Sequence, residues 1–408
     1  MTPPRSPRSA LAVVFLTVLV DTVGLGIVIP VFPELIVELT GVSLARAATF
    51  GGALAFVFAA TQFLCAPVVG SLSDRFGRRP VLLFSLAAFG LDYLLMAAAP
   101  TIAWLFVGRA VAGLSGASYT AATAYVADVT APERRAQGFG LIGAAFGIGF
   151  VLGPALGGLL GGFGTRVPFV VAAGAALANF VFGWFALPES LAHDSRRAFS
   201  WRRANPLGAL AAIGRHPGVL GIAGAVFLWQ LAHQSLPSVW SFYTLAEFGW
   251  SERTVGASLA YVGAIMAVSQ GFLTRVLIPR LGGERRAAIS GLAGATAGYL
   301  VFALASAGWM LFAGLTTWLL AGLVYPSMNA LMSRVVPKTA QGELQGAVTS
   351  MFSLSAIAGP PLMTLLFARF SAAAAPWRFP GAPYALSALL AVAALALFAA
   401  ATQGDGEG

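Results

Sequence analysis

The chain has 408 residues, of which 58% are apolar and only 10% are charged, and its formal net charge is +9. Because soluble domains contain about 25% charged residues, this composition excludes a water-soluble enzyme and a disordered chain. The single cysteine, Cys65, excludes an intramolecular disulfide framework. The composition instead predicts a helical protein that crosses a membrane many times.

Apolar segments follow one another along the chain, and most are near the roughly 20 residues that a helix needs to cross a bilayer. They lie at 9–36, 45–70, 80–99, 102–127, 136–161, 166–187, 216–246, 254–278, 286–306, 308–331, 343–369 and 379–402. The longest polar break, 188–215, indicates a linker between two halves. We therefore predict an N-terminal six-helix bundle over 1–187, a cytoplasmic linker over 188–215 and a C-terminal six-helix bundle over 216–408.

The basic residues predict how the chain is oriented. Arg5 and Arg8 precede the first apolar segment as in a signal peptide. Asp21 interrupts that segment and no cleavage site of small residues follows, so we interpret it as a retained span. If the N-terminus and every second loop share one side, that side holds most of the 24 Arg and Lys residues. Basic loops stay in the cytoplasm, so both termini are expected there.

Two short patterns recur about half a chain length apart. The loop 74–79 (DRFGRR) returns as 280–286 (RLGGERR), and Gly153-Pro154 returns as Gly359-Pro360. Matches at one displacement predict duplicated halves. With six spans in each half, both halves would have the same orientation in the membrane, as parallel repeats do.

The loop 70–80 (GSLSDRFGRRP), after the second segment, has the features of a tight turn at a membrane face. Gly77 permits a positive φ, Pro80 suits the first turn of a helix, and three arginines favour the cytoplasmic side. The loop also resembles the signature loop of the major facilitator superfamily. Together with the twelve spans and repeated halves, it makes the whole chain similar to that superfamily. The resemblance implies an all-α membrane fold of two pseudosymmetric six-helix bundles, and a transporter rather than an enzyme.

Three further stretches resemble the drug/proton antiporters of that superfamily. They are 21–33 in the first span, 108–113 (GRAVAG) in the fourth and 149–158 (GFVLGPALGG) in the fifth. This resemblance implies export of a substrate in exchange for protons.

Other stretches are similar to bacterial tetracycline/proton antiporters, among them 91–93 (LDY) and 125–130 (YVADVT). The chain departs from that pattern at Met266, where those exporters have His, and at Ala295, where they have Asp. The resemblance therefore implies proton-coupled efflux more strongly than tetracycline as the particular substrate.

Asp21 lies about midway along the first span, where a charged side chain costs about 2.5–3.5 kcal/mol on insertion scales. A carboxyl group in a partly dehydrated cavity exchanges its proton nearer neutral pH than one in water. Because a proton-driven exchanger needs a site that is not protonated and cation-occupied at once, Asp21 is a candidate proton carrier and cavity residue. The alternative is a structural carboxylic acid hydrogen-bonded to a neighbouring helix.

Asp92 and Arg109 lie at similar depth in the third and fourth spans, if these helices are adjacent and antiparallel. We predict that they form an ion pair. One interpretation is a buried pair that only fixes helix packing. The other is a coupling element, in which protonation of Asp92 or Asp21 frees Arg109 and shifts the conformation, and the resemblance favours this role for Arg109.

The superfamily resemblance also implies a charged latch at the cytoplasmic edge that stabilises the outward-open state. Arg78 would pair with Asp128, and Asp74 would face the positive end of a helix. The alternative is charge that serves only to orient the loop. The complete predicted latch is Gly70, Asp74, Arg75, Gly77, Arg78, Arg79 and Asp128.

The fifth span contains regularly spaced glycines. Glycines four residues apart let helix backbones approach closely, which predicts a packing motif that seals the cavity, although membrane helices are also generally rich in glycine. The motif consists of Gly149, Gly153, Pro154, Gly157 and Gly158.

In the seventh span Gln230, His233 and Gln234 have the spacing of one helix face, next to Trp229. A polar and aromatic stripe of this kind suits the wall of a cavity for an amphipathic ligand, although hydrogen bonding between helices would need the same residues. His233 is also a candidate second proton site. Further candidates for the substrate cavity are Met266, Gln270, Tyr325, Met328 and Asn329.

We predict proton-driven export of amphipathic drug-like molecules, tetracycline-like or multidrug, by alternating access across a bacterial inner membrane. The sequence contains no phosphate-binding loop and no metal-ligand spacing, so we expect no cofactor and no metal, with the proton gradient as energy source. The expected partners are a small-molecule substrate, protons and the lipid bilayer, without nucleic acid, for a monomer. One alternative is a proton-coupled transporter of a native metabolite such as a sugar, nucleoside or siderophore. Another is a receptor that has lost transport, which the retention of Asp21, Asp92 and Arg109 disfavours.

Overall fold

The structure is a computed structural model that describes residues 7–115, 118–131, 134–192, 194, 196, 217–337, 340–373, 375 and 377–403. Over these residues the chain is helical and contains no β-strand. Most of the predicted linker, and both termini, lie outside the described residues.

Seventeen α-helices follow one another in the described part of the chain. They are α1 Pro7–Val28, α2 Phe32–Thr40, α3 Leu44–Phe76, α4 Arg78–Ala98, α5 Ile102–Ser115, α6 Ser118–Val129, α7 Arg135–Gly161, α8 Val167–Ala186, α9 Pro217–His233, α10 Ser235–Phe248, α11 Glu252–Val268, α12 Thr274–Arg280, α13 Glu284–Leu304, α14 Gly308–Ala321, α15 Val324–Val335, α16 Gln341–Ser371 and α17 Ala382–Ala401.

Eleven helical stretches in the described residues are long and apolar enough to cross a membrane. They correspond to all the predicted spans except the fourth, which α5 and α6 cover as two shorter helices. The prediction of an all-α, many-span protein is therefore confirmed. The fourth predicted span, 102–127, is helical on both sides of residues 116–117, which lie outside the described residues.

Three predicted spans are divided. In the first, α1 ends at Val28 and α2 begins at Phe32, because Pro30 and Pro33 cannot donate the backbone hydrogen bonds that a continuous helix needs. In the seventh, α9 ends at His233 and α10 begins at Ser235. The tenth is divided between α14 and α15.

The eighth span is interrupted by a π-helical turn, Ser269–Leu273, between α11 and α12. The Ser269 hydroxyl donates to the backbone oxygen of Leu319 at 2.6 Å, and Gly322 lies against the same side chain. A single wide turn of this kind inserts one residue into a helix and re-aims the side chains that follow.

The chain divides into two compact units. Unit 1 contains 1–41, 57–205 and 251–260, and unit 2 contains 42–56, 206–250 and 261–408. In unit 1, α1 packs against α7 and α8, and α4 packs against α8. In unit 2, α9 and α13 pack against α17, and α13 also packs against α14. The bundle boundaries that we drew from the sequence remain a prediction.

Large apolar side chains cover the outside of the helices. Phe185 is 79% exposed and Trp309 is 71% exposed, with many Leu, Val and Phe side chains exposed beside them. Continuous apolar surface of this extent is not stable in water and suits contact with lipid.

The repeated loops share one backbone conformation. Gly77, before α4, has φ 109°, and Gly283, before α13, has φ 112°. Residues that have a Cβ atom are strained at such φ values, so each loop needs glycine at this position. The equivalence supports the duplication inferred from the sequence.

Candidate functional site

The glycines of α7 bring it into close contact with α1 inside unit 1. A methyl group on Gly149 would lie 2.6 Å from the Cβ of Thr22, and one on Gly153 would lie 2.7 Å from the Cα of Gly26. Gly157 lies against the backbone of Ile27. These glycines therefore set how closely α1 approaches its neighbour.

The motif's remaining members also make contacts within unit 1. Pro154 packs on Gly26, and its carbonyl lies beside Gly256 of α11. Gly158 lies against the first residues of α11, with a methyl group there 3.1 Å from the Cα of Arg253. The motif is thus a packing surface along its length.

Asp21 lies on α1 and is partly buried, with its Oδ1 atom buried and without a hydrogen-bond partner in the described part of the chain. Its side-chain partner is Asn179 of α8, an amide. Asp21 forms no ion pair with any described residue. A carboxyl group with a neutral partner can lose or gain a proton without leaving an unpaired cation behind.

Asn179 is 4% exposed and is held in one orientation. Its Nδ2 donates to the backbone oxygen of Thr17 at 3.1 Å, one helical turn before Asp21. Tyr93 of α4 completes the surroundings: it is 2% exposed and electrostatically coupled to Asp21, and its hydroxyl lies against Gly24. We did not identify Asn179 from the sequence, although it is the single polar amide in α8.

Asp92 and Arg109 form the ion pair that their spacing predicts, between Asp92 Oδ2 and Arg109 Nη2. The Asp92 side chain is fully buried and that of Arg109 is 13% exposed. The pair fits because Gly108 leaves room for Asp92 Oδ1. The Arg109 guanidinium also lies 5.7 Å from the centre of the Phe58 ring.

Arg78 connects α3, α4 and α6 at the cytoplasmic end that we predict. Its guanidinium lies 2.6 Å from Asp74 Oδ1 and 3.2 Å from Asp128 Oδ2, and it donates to the Ser73 hydroxyl. The Asp74 side chain is 41% exposed and that of Asp128 is 24% exposed. The predicted contact of Arg78 with Asp128 is thus present in the structure.

The other predicted latch residues surround this network. Arg79 donates to the backbone oxygen of Trp184 at 2.6 Å and lies over the Trp184 ring. Arg75 is exposed and lies over Phe76. Gly70 is near the start of this turn, with open space around its Cα.

Glu189 contacts the same network and was not identified from the sequence. Its carboxylate accepts the backbone N–H groups of Arg78 at 2.8 Å and Arg79 at 3.3 Å, at the N-terminus of α4. A carboxylate here satisfies free N–H groups and interacts with the positive end of the helix dipole. The Ser190 hydroxyl next to it donates to Asp128 at 3.1 Å. No local pattern indicates a contact across 111 residues.

In unit 2 His233 lies in an aromatic cluster. Its ring stacks on Trp318 at 5.1 Å between centroids and is tilted to Trp229 at 5.6 Å. Tyr299 packs edge-on against Trp318 at 5.5 Å. His233 Nδ1 and Trp318 Nε1 are buried without a hydrogen-bond partner among the described residues, and the Tyr299 hydroxyl interacts with Ser235, so polar atoms converge here. Trp318 and Tyr299 were not predicted.

The residues of the predicted polar stripe contact different neighbours. Gln234, at the junction of α9 and α10, packs against Gly359 of α16, whereas His233 stacks on Trp318 of α14. Gln230 is partly buried on α9. Their common role as the wall of a cavity stays a prediction.

The further candidates for the substrate cavity differ in their contacts and burial within unit 2. Gln345 donates to Asn329 at 3.0 Å, and Tyr325 packs against Phe352. Met328 is fully buried and contributes to the core. Two further candidates, Met266 and Gln270, are partly buried and exposed respectively.

A second carboxyl group without a cation lies beyond the end of α1. Glu34 of α2 hydrogen-bonds Glu252, the first residue of α11, within unit 1. Burial and the neighbouring carboxylate raise the pKa of Glu34 to about 7. On the same helix Glu38 is paired with Arg166 at 3.0 Å.

Comparison with known proteins agrees with this architecture. The family description "Major Facilitator Superfamily" matches residues 14–319 and, in a second match, 283–406. The class C tetracycline resistance protein of Escherichia coli is 40% identical over 370 residues, which cover 91% of this chain and 92% of that protein. Multidrug resistance protein 2 of Bacillus subtilis is 29% identical over 355 residues, or 86% of each chain. The crystal structure of the human organic anion transporter MFSD10 aligns with a TM-score of 0.72 and 25% identity, over 97% of this chain and 100% of that one.

These matches extend over nearly all the described helices and confirm the resemblance that the motifs indicated. The chain therefore belongs to the major facilitator superfamily, and it is a membrane transporter rather than an enzyme.

Proposed function

We propose that the chain exports amphipathic, drug-like molecules in exchange for protons, with tetracycline-like compounds as the first class to test. The names of its relatives support a drug as substrate. The observation that carries the proposal is Asp21, a carboxyl group inside an apolar span whose partner is a neutral amide. An ionisable group in such a place is retained for a function far more often than for stability.

Asp21 is the better proton carrier of the two acids in neighbouring spans. Asp92 already faces the guanidinium of Arg109, a cation that compensates the charge of its carboxylate. Asp21 has no such cation, so its protonation can follow the pH on the side to which it is open. Arg109 then couples the proton to conformation, because a change of charge at Asp21 alters the field at the buried pair.

The network around Arg78 serves as the latch of the transport cycle. Asp74, Asp128 and Glu189 supply three acidic groups around it and around the N-terminus of α4. Partly exposed pairs of this kind contribute little stability each, so they can open and close with little cost. We propose that they bias the chain towards one of its two alternating-access states.

The substrate would be bound by residues of unit 2 around His233. Aromatic rings with a few polar atoms suit the flat and amphipathic molecules of this class. The candidate binding residues of unit 2 are Trp229, Gln230, His233, Gln234, Met266, Gln270, Tyr325 and Asn329, with Trp318 and Tyr299 added from the structure.

The chain would work as a monomer in a bacterial inner membrane, with both termini in the cytoplasm, powered by the proton gradient without a cofactor. The position of the arginine-rich loops supports this orientation. A native metabolite remains the second candidate substrate, because the superfamily fold alone does not select one.

The decisive experiment compares wild type with Asp21→Asn in liposomes that carry a pH gradient. We expect wild type to move tetracycline and to dissipate the gradient as it does so. Asp21→Asn should reduce gradient-driven flux to the level of protein-free liposomes. Glu343→Gln is the matched control, because it removes an exposed carboxyl group on α16 and should transport as wild type does.

Undiminished gradient-driven flux in Asp21→Asn would overturn the proposed role of this acid. Flux of sugars or nucleosides, with none of tetracycline or of a cationic dye, would instead favour the metabolite alternative.

A further inference from the structure

Asn179 has an arrangement that suits both protonation states of a neighbouring acid. Its Nδ2 donates to the backbone oxygen of Thr17 at 3.1 Å. A backbone carbonyl only accepts hydrogen bonds, so the atom facing it must be the amide nitrogen, which fixes which end of the side chain is which. The amide is therefore held by the backbone of α1 itself, on the same helix that carries Asp21.

The second amide hydrogen and the amide oxygen remain for Asp21. Nδ2 carries two hydrogens, of which one bonds Thr17, so the second is available to the neighbouring carboxyl group of Asp21. Asn179 Oδ1 and Asp21 Oδ1 are buried without another partner in the described part of the chain. The amide can thus donate to an ionised carboxylate and can accept from the O–H of a protonated one.

Few other groups near Asp21 can compensate for its charge. Among the elements packed around α1, α8 has no titratable residue and α7 has only Arg135, at its cytoplasmic start. α4 carries Tyr93, which is coupled to Asp21, and Asp92, which is bonded to Arg109. α6 carries Tyr125 and, at its cytoplasmic end, Asp128.

We propose that Asn179 is the positioning residue for proton exchange at Asp21, holding the acid in place and stabilising its ionised form through Nδ2. The inference rests on the proposed role of Asp21 as the proton carrier. It adds Asn179, an uncharged residue of α8, to the site around Asp21. Because Asn179 does not itself gain or lose the proton, its effect is on the pH at which Asp21 does so.

The test is an infrared titration of the protonated carboxyl band of Asp21 in purified protein, with the spectrum of Asp21→Asn subtracted. Asn179→Leu removes both donor and acceptor at nearly constant volume. It should move the midpoint of the Asp21 titration to higher pH by about 1 unit or more, since a hydrogen bond to a charged group is worth about that much. The pH dependence of gradient-driven flux should move in the same direction.

A second variant covers the case in which Asn179→Leu does not fold. Asn179→Asp keeps a polar side chain of the same size, but its ionised form cannot donate and repels an ionised Asp21, so the midpoint should again rise. Thr17→Val is the matched control. It removes a buried hydroxyl beside the same amide and keeps the backbone carbonyl that holds Asn179, so the midpoint should stay as in wild type.

A lower maximal flux with an unmoved titration midpoint, in either Asn179 variant, would show that Asn179 is only structural and would overturn the inference. The titration does not depend on transport. A chain that moves no drug but whose Asp21 midpoint shifts as expected would contradict the proposed function while supporting the role of Asn179.

Discussion

Asp21 and Asp92 are the same residue type in neighbouring apolar regions of unit 1, and the structure gives them different partners. Asp92 is fully buried against the guanidinium of Arg109, whereas Asp21 faces the amide of Asn179. The first carboxyl group has a cation as its partner, and the second has a neutral amide. In the function that we propose, this difference in partner, more than the position in a span, separates a structural intramembrane acid from one that exchanges protons.

Removal of the cation tests the difference between the two acids most directly. Arg109→Ala leaves Asp92 buried without a partner, and breaking a buried pair in this way costs about 3–5 kcal/mol. Asp21→Asn replaces an acid whose partner is already neutral, so its stability should stay near that of wild type. Chemical unfolding in detergent measures both changes.

The double variant Asp92→Asn/Arg109→Gln provides the control. It removes both charges and leaves two amides that can hydrogen-bond each other, so it should recover most of the stability lost in Arg109→Ala. If Arg109→Ala were no less stable than Asp21→Asn, the two acids would not differ in the way described.

A second test moves Asp21 without changing any charge. Gly157→Ala would place a methyl group against the backbone of Ile27 and push α1 away from α7. Overpacking of this kind lowers the free energy of unfolding by about 1–3 kcal/mol. Gradient-driven flux should fall as well, although the Asp92–Arg109 pair is unchanged. Gly147→Ala is the control on the same helix, because nothing lies within 4 Å of the added methyl group. It should leave flux unchanged, and a similar loss in both variants would contradict the packing role.

A third test concerns Arg78, whose ion pairs are not fully buried. Arg78→Ala should change the free energy of unfolding by about 1 kcal/mol or less, because partly exposed pairs contribute little. The same energy, applied to two transport states, shifts their ratio about fivefold, which accessibility labelling from each side would detect. Arg275→Ala, at an exposed arginine of α12, should leave the ratio unchanged. An unaltered ratio in Arg78→Ala would show that these charges only orient the loop.

The sequence alone could predict features that depend on helix order and depth. The Asp92–Arg109 pair follows from two adjacent antiparallel spans, and the contact of Arg78 with Asp128 follows from the resemblance. The close approach at Gly153 follows from glycines in a regular spacing. For the Asp92–Arg109 pair, the positions along the membrane normal were enough.

Contacts that depend on helix rotation could not be predicted in the same way. The spans are apolar on nearly all sides, so their pattern does not show which face meets which neighbour. Asn179 therefore could not be matched to Asp21, nor Glu189 to the N-terminus of α4. The lone amide in an apolar α8 was nevertheless a signal, since polar residues are rare at that depth.

The smallest expected effect comes from Glu34, which tests the same rule outside Leu11–Val28, the part of the first span that is apolar enough to cross the membrane. Glu34 lies on α2, beyond the end of α1 at Val28, and shares a hydrogen bond with Glu252. Two carboxyl groups can share a hydrogen bond only while one of them keeps a proton. Burial and Glu252 accordingly raise the pKa of Glu34 from 4.5 to about 7.

The sign of the pH dependence follows from this shift. Between about pH 4.5 and pH 7 the folded chain holds a proton on Glu34 that the unfolded chain has lost, so the free energy of unfolding falls as the pH rises through this window. Glu34→Gln keeps a donor for Glu252 and removes the titration. Wild type should therefore lose more thermal stability between about pH 5 and about pH 8 than Glu34→Gln does. Glu38→Gln, which breaks the pair with Arg166 instead, should keep the wild-type dependence. Equal losses in wild type and Glu34→Gln would show that an acid without a cation need not hold its proton here, and the rule drawn from Asp21 would lose its second example.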